Sequence, residues 1–325
     1  VTRSPDPDYR ILRPLATGGM AVVLLAEHRH TSERAVIKLI RDELAGDWEV
    51  TQRFDREARI MARLEHPNIV RLRTWGPLRE GGRFLVLDFI EGRTLHDHID
   101  ERGPLQVDRL HRVASDVLAA LQASHDAGVV HRDLKPENVL LTRPSTKDMF
   151  DRAVLIDFGI SRRRNVTVME EPNITAANTI MGTPDFMSPE QAASEEVDHR
   201  SDLYSFGCML HFMATGRAPF EHHSALMVLN MHIHDSPDLT GLRHKATPEL
   251  VALVADLLAK KPDERPQDAA EIQVRLNAAH TAKRHAQAGK RKQLLARVGK
   301  ELGAASPGRE KDGVLGKLKG LLKKH

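Results

Sequence analysis

The sequence has a single cysteine, Cys208, among 325 residues. An internal disulfide is therefore excluded, and the chain suits a reducing compartment. Cys208 lies in the apolar run Phe206-Gly207-Cys208-Met209-Leu210 with no activating neighbour, so it reads as a small core residue rather than a nucleophile. Long hydrophobic runs are missing too: none approaches the roughly 20 apolar residues of a membrane-spanning helix. Val1 opens no charged-then-apolar leader, so no signal peptide is expected and residues 1–8 read as a short leader. There is no internal repeat.

Apolar residues make up 41% of the chain, enough to bury the core of two domains or of one bilobal unit with a tail. The net charge of +3 hides an asymmetry. Residues 279–325 carry 13 Lys and Arg against 3 Asp and Glu, which leaves the preceding body mildly acidic.

Residues 9–89 read as short strands with one helix. Tyr9 to Leu15 and Ala21 to Ala26 are β-rich runs around a Thr17-Gly18-Gly19 turn, and Arg34 to Ile40 is a third strand. Trp48 to Leu64 has helical spacing, with Phe54, Ala58, Met61, Ala62 and Leu64 on one side and Pro67 ending it. Ile69 to Trp75 and Arg83 to Phe89 are two further strands. From Leu95 the pattern turns helical: Val107 to Asp126, Ser201 to Ala214, Ala225 to His232, Pro248 to Leu258 and Ala269 to Ala279. A small sheet-rich part followed by a larger helical part predicts an α+β, two-lobe chain, with an N-lobe over 9–89 and a C-lobe over 90–278.

The most specific signal is His131-Arg132-Asp133-Leu134-Lys135-Pro136-Glu137-Asn138. Pro136 keeps this stretch from being regular helix. A carboxylate can accept the proton of an attacking alcohol, an amide oxygen can ligate a hard cation, and an ammonium can neutralise phosphate charge. Phosphoryl transfer needs all three close together. Nineteen residues after Asn138 comes Asp157-Phe158-Gly159, directly behind the apolar strand Val154-Leu155-Ile156. That places a carboxylate where it can hold a divalent cation.

With these motifs the chain resembles a eukaryotic-like Ser/Thr protein kinase of the bacterial branch, across roughly residues 9–278. The resemblance implies a bilobal kinase fold and transfer of the γ-phosphoryl of Mg·ATP to Ser or Thr of protein substrates, with Mn²⁺ as an alternative to Mg²⁺. It assigns Asp133 as base, Lys135 as the γ-phosphate contact, and Asn138 and Asp157 as metal ligands. Lys38, in Ala35-Val36-Ile37-Lys38, would grip the α- and β-phosphates, with Glu57 of the helix as its ion partner. The glycine loop departs from the family form Gly-x-Gly-x-x-Gly-x-Val, whose positions here are Ala16, Gly18, Ala21 and Val23. Gly18-Gly19 still lets backbone N–H groups approach phosphates, and modestly altered ATP affinity is expected. Leu15, Ala16 and Thr17 flank that loop, while Val23 and Val36 would roof the adenine. The Asp88 carbonyl and the Ile90 amide would bond its edge, with Leu87 behind.

The resemblance extends past the catalytic strand. Residues up to Ser188-Pro189-Glu190 would form an activation segment, with Glu190 pairing Arg265 and Asp202 anchoring the catalytic loop. Thr183 would contact the base and select Ser and Thr hydroxyls. Arg132 before the base goes with phosphorylation of the segment, for which Thr175 and Thr179, then Thr167, are the placed acceptors, with self-association for reaction in trans. His131 reads as a packed residue. His222-His223 and His232-x-His234 read as surface-prone histidines rather than a metal site.

Residues 279–325 hold two apolar faces among basic residues, Leu294, Leu295, Val298 and Leu302, then Val314, Leu315, Leu318, Leu321 and Leu322. One reading is a basic amphipathic helix on an anionic membrane or a partner; the other is a flexible basic linker. No specific nucleic-acid partner is expected, and the location is cytoplasmic, membrane-peripheral if the tail binds lipid. Two other classes compete with a working kinase. A nucleotide-binding pseudokinase scaffold fits the reduced glycine loop but not the catalytic set. A small-molecule phosphotransferase conflicts with Thr183 and Ser188-Pro189-Glu190.

Overall fold

The computed structural model describes residues 6–17, 21–40, 48–78, 82–142, 152–157 and 184–304. In chain order the elements begin with strands β1 (Tyr9–Thr17), β2 (Ala21–His28) and β3 (Arg34–Ile40), then helix α1 (Trp48–Met61) and strands β4 (Leu72–Pro77) and β5 (Arg83–Asp88). These five strands form one antiparallel sheet in the order β1-β2-β3-β5-β4. Alternation along β3 sets its two faces. Ala35, Ile37 and Leu39 join a core with Tyr9, Leu24, Phe84 and Val86, while Val36 and Lys38 point the other way, Val36 onto the main core.

The second part opens with β6 (Gly92–Thr94), α2 (Leu95–Arg102) and α3 (Val107–Asp126), followed by β7 (Val139–Thr142) and β8 (Ala153–Leu155). Strands β6, β7 and β8 form a small antiparallel sheet. Then come α4 (Pro189–Ala192), α5 (His199–Thr215), α6 (Ala225–His234), α7 (Thr240–Arg243), α8 (Pro248–Leu257) and α9 (Ala269–Ala304). Caps explain the sharp starts. Thr94 Oγ1 accepts from Asp97 N at 3.0 Å, and Thr247 caps α8 with Pro248 in its first turn. Helix α5 is apolar nearly all round, buried from Ser201 to His211, and forms the centre of the larger lobe. At Gly207 of α5 a Cβ would lie 2.7 Å from Leu257 Cβ, so α5 and α8 touch through the missing side chain.

The chain is α+β, a small sheet-rich lobe followed by a larger helical one, as the sequence predicts, with differences at the ends of elements. Helix α1 stops at Met61, where Arg63 N turns to Ile60 O and Leu64 N to Met61 O. This tight turn keeps Leu64 buried but leaves Ala62, expected on the same side, exposed, so the apolar period outlasts the helix. Strand β4 begins at Leu72 rather than Ile69, because Ile69 bridges Leu155 instead. There Val70 N donates to Leu155 O and Leu155 N to Asn68 O, each at 2.8 Å. Helix α9 continues to Ala304, far beyond the predicted Ala279. His232 is not a surface residue. It follows Val228 and Leu229 on the buried face of α6, sits between the Tyr204 and Phe220 rings, and its Nδ1 is 2.9 Å from Tyr204 Oη. Burial, with Lys260 nearby, pushes its pKa down to about 3. Cys208 is fully buried in α5, and burial pushes its thiol pKa up.

The larger lobe is also clamped by an ion pair. Arg265 Nη1 and Nη2 each lie 2.8 Å from an oxygen of Glu190, and both residues are buried. Arg265 also donates to the carbonyls of Ala259 and Lys260 at 2.8 Å and of Arg200 at 3.0 Å, so all five of its donors are matched. Burial alone would raise the Glu190 pKa, but Arg265 and the Ser201 hydroxyl outweigh it and hold the carboxyl below its usual value. A lowered carboxylate pKa stabilises the fold above the unfolded-state pKa and loses that contribution as pH falls. Arg265→Met should therefore cost about 3–5 kcal/mol near neutral pH. In urea titrations the deficit should shrink as pH drops below 4.5, the ordinary value for this group.

Candidate active site

The segment from His131 to Asn138 links α3 to β7 and is not helical until its last turn, a single 3₁₀ turn over Pro136–Asn138. Arg132 has φ of 65°, in the left-handed region that a side chain rarely adopts. Such a residue costs about 1–3 kcal/mol unless its surroundings hold it. Here the buried carboxylate of Asp202, from the first turn of α5, accepts from His131 N and from Arg132 N, both at 2.8 Å. His125, at the end of α3, places Nε2 2.8 Å from the same carboxylate. On the other side Gln191 Nε2 donates to Arg132 O at 2.7 Å. His131 itself is fully buried, its pKa lowered by that burial, and its Nδ1 accepts from Asp133 N at 3.3 Å.

This anchored turn aims three side chains at one spot. Lys135 Nζ is 3.0 Å from Asp133 Oδ2. Asn138 Nδ2 donates to Asp133 O at 2.7 Å and to Asp133 Oδ2 at 3.1 Å. With its nitrogen pinned there, the amide turns Oδ1 away from the carboxylate. Asn138 O in turn accepts from Ile156 N at 3.1 Å, which fixes the residue just before Asp157. Asp157 reaches across to the sheet lobe, where its Oδ1 lies 2.9 Å from Lys38 Nζ. Two contact groups thus form, Asp133 with Lys135 and Asn138, and Lys38 with Asp157 from 119 residues away, linked through the Ile156 N–Asn138 O bond.

The family model for the protein kinase domain matches residues 9–277. The chain belongs to the protein kinase family. Its relatives place it in the bacterial branch of eukaryotic-like Ser/Thr kinases. It is 34% identical over 295 residues to the serine/threonine-protein kinase pkn3 of Myxococcus xanthus, covering 87% of this chain and 53% of that one. It is 36% identical over 276 residues to the serine/threonine-protein kinase PknB of Mycolicibacterium smegmatis, covering 84% and 43%. The chain thus spans about half or less of the length of these curated relatives. Among solved structures, the kinase domain of Mycobacterium tuberculosis PknI matches with a TM-score of 0.66 at 25% identity, over 86% of this chain and 99% of that one.

Protein kinases use ATP, a divalent metal ion and protein substrates. The kinase residues described here fit such a metal. The Asp157 carboxylate and the Asn138 amide oxygen are hard oxygen donors, and the bond from Ile156 N to Asn138 O ties their backbones together. Of the residues expected to line a nucleotide, Val23 stands opposite Lys38 and Val36 opposite Leu87 in the sheet register. Leu87 is buried and Ile90 packs on the main core. The Asp88 side chain pairs with Arg73 at 2.5 Å and Arg71 at 3.4 Å, within the smaller lobe. Leu15, Ala16 and Thr17 are exposed at the end of β1, with Ala16 opposite Val23. Glu57 lies on α1, with its side chain outside the described residues. Gly18, Gly19, Thr167, Thr175, Thr179 and Thr183 also lie outside them.

Sequence reasoning missed Gln191, Asn68 and Asp185. Gln191 had a signal, since Ser188 stands three residues before it as in a capping box. That box forms, with Gln191 Oε1 accepting from Ser188 N at 3.1 Å, and the leftover Nε2 is what holds Arg132. Asn68 Nδ2 donates to Ala153 O at 2.8 Å, a link between lobes that no local pattern announces. Asp185, in the turn before α4, has a pKa pushed up to about 6 by burial, with Glu137 and Glu221 adding to it and His96 opposing.

Asp202→Asn tests the anchor. The amide offers one acceptor oxygen where two backbone N–H groups need one each. It should cost about 1–3 kcal/mol, and hydrogen exchange should accelerate at the His131 and Arg132 amides while α8 keeps its protection.

Proposed function

We propose that this chain transfers the γ-phosphoryl group of Mg·ATP to Ser and Thr hydroxyls of proteins. The observation that supports it most is the contact of Lys135 and Asn138 with one carboxylate, Asp133, beside the Lys38–Asp157 pair. In this reading Asp133 orients the substrate hydroxyl and takes its proton as the oxygen attacks phosphorus. The bond from the γ-phosphorus to the bridging oxygen breaks, and ADP leaves with that electron pair. Lys135 balances charge on the transferred group, and Lys38 holds the α- and β-phosphates. Asn138 and Asp157 would hold Mg²⁺, or Mn²⁺ in its place, which neutralises phosphate charge when bound. Leu15 to Gly19, Val23, Val36, Leu87, Asp88 and Ile90 enclose the nucleotide, Glu57 steadies Lys38, and Thr183 selects the hydroxyl.

Regulation belongs to the same reading. Autophosphorylation at Thr175, Thr179 or Thr167, through transient pairing of two copies, would set a phosphate against Arg132. The kinase domain spans 9–278, and a buried, unpaired Cys208 suits the cytoplasm. The basic stretch after it, 279–325, would bring the domain near anionic lipid or a partner, or serve as a linker.

Incubation with Mg·ATP followed by mass spectrometry should reveal phosphate on Ser or Thr and on the segment between Gly159 and Ser188. Asp133→Ala should lower the rate by about 10²- to 10⁴-fold. Lys38→Met should also abolish most turnover, and chelation of divalent metal should stop it. A thermal shift with nucleotide but no phosphate on any protein would instead favour a non-catalytic scaffold.

A further inference from the structure

At the N-terminal end of α3, the end away from the catalytic loop, the larger lobe contains a cavity of about 450 Å³. That lies within the roughly 300–1,000 Å³ of small-molecule sites, and a cleft between helices is a common place for one. It is bounded by the turn before α3, by α3, by the end of α5, by the start of α8 and by the middle of α9. The floor is apolar: Leu105, Val107, Leu110, Leu250 and Leu276 line it. The mouth is not. Lys245 and Lys283 stand there, and each ammonium donates only to a backbone carbonyl, Lys245 to Thr215 O at 3.1 Å and Lys283 to Lys245 O at 3.2 Å. His111 and His280 stack at 4.1 Å on the same rim, each with a ring nitrogen engaged, by Asn277 and by Asp108, both at 2.7 Å. The acidic group at that end is thus taken by His280, and neither lysine meets a carboxylate among the described residues.

A greasy floor under two ammonium groups is complementary to a particular molecule. We propose that this cavity binds an amphiphile of the long-chain carboxylate class, its chain among the leucines and its anionic head between Lys245 and Lys283. A charged hydrogen bond of this kind contributes more than a neutral one, and the buried chain contributes through apolar area. The chain's own C-terminal stretch has the wrong sign for this mouth, since Lys317, Lys319, Lys323 and Lys324 accompany its leucines. The site is separate from the nucleotide cleft and does not depend on catalysis.

The test is calorimetric titration of the full chain with sodium dodecanoate, kept below its micelle-forming concentration. One saturable site is expected, unaffected by saturating Mg·ATP. The double variant Lys245→Gln, Lys283→Gln should bind about tenfold more weakly. Dodecyltrimethylammonium, with the same tail and the opposite charge, should bind at least tenfold more weakly than dodecanoate. Leu250→Trp, which fills the floor, should remove the site, and if that variant does not fold the surface lysine variant decides alone. Absence of saturable binding, equal affinity for both head groups, an unchanged lysine variant, or competition by ATP would each overturn the proposal.

Discussion

The catalytic loop depends on one buried carboxylate. Asp202 accepts both backbone N–H groups of the turn at His131 and Arg132 while His125 reaches it from α3. A left-handed Arg132 could not persist on local preference, because its backbone is strained by about 1–3 kcal/mol. Three donors on one buried acceptor, with Gln191 securing the carbonyl on the opposite side, more than offset that strain. Everything chemical follows from the turn's position. Asp133 is the next residue, and Lys135 and Asn138 close upon it.

A second constraint ties the two lobes at the strand that carries Asp157. Leu155 exchanges hydrogen bonds with Asn68 O and Val70 N of the smaller lobe, and Ile156 N is held by Asn138 O. Strand β8 is only three residues long, yet it is hydrogen-bonded to β7, bridged to Ile69 and buried at every position. A short strand gripped on all sides is a rigid mount, so the carboxylate two residues beyond it is placed with little freedom. The buried Glu190–Arg265 pair does similar work below, joining the start of α4 to the loop before α9.

Local chemistry explains what was legible in the sequence. Helix α3 was read to the residue because its apolar spacing is regular and Gly128, at φ of 73°, closes it. The Asp202 anchor and the Glu190–Arg265 pair were legible only through the family resemblance, since 70 and 75 residues separate the partners. Boundaries failed where one signal served two structures. The apolar period of α1 runs through a tight turn to Leu64, and Ile69 has the composition of a strand but bridges a different sheet. His232 misled in the opposite way: a polar residue beside exposed histidines gave no hint that a tyrosine hydroxyl and a phenylalanine ring would enclose it. Long-range partners of polar groups are set by topology, which composition does not encode.

The Lys38–Asp157 contact joins the two groups assigned to opposite charges of a metal-bound nucleotide. The ammonium is 15% exposed and the carboxylate 42%. Solvent screens such a half-open pair, and pairs of this kind contribute about 0–1 kcal/mol. The Asp133–Lys135 pair is drier, at 14% and 19%. The arrangement is therefore graded. Under the proposed function, phosphate oxygens and a cation would take the place of the more exposed pair across the lobes, through stronger charge-assisted contacts. The pair within the catalytic loop is better shielded, and its loop is held by Asp202 and Gln191 rather than by the pair across the lobes. With the loop anchored independently of the Lys38–Asp157 pair, nucleotide could enter without rebuilding the loop that would act on it.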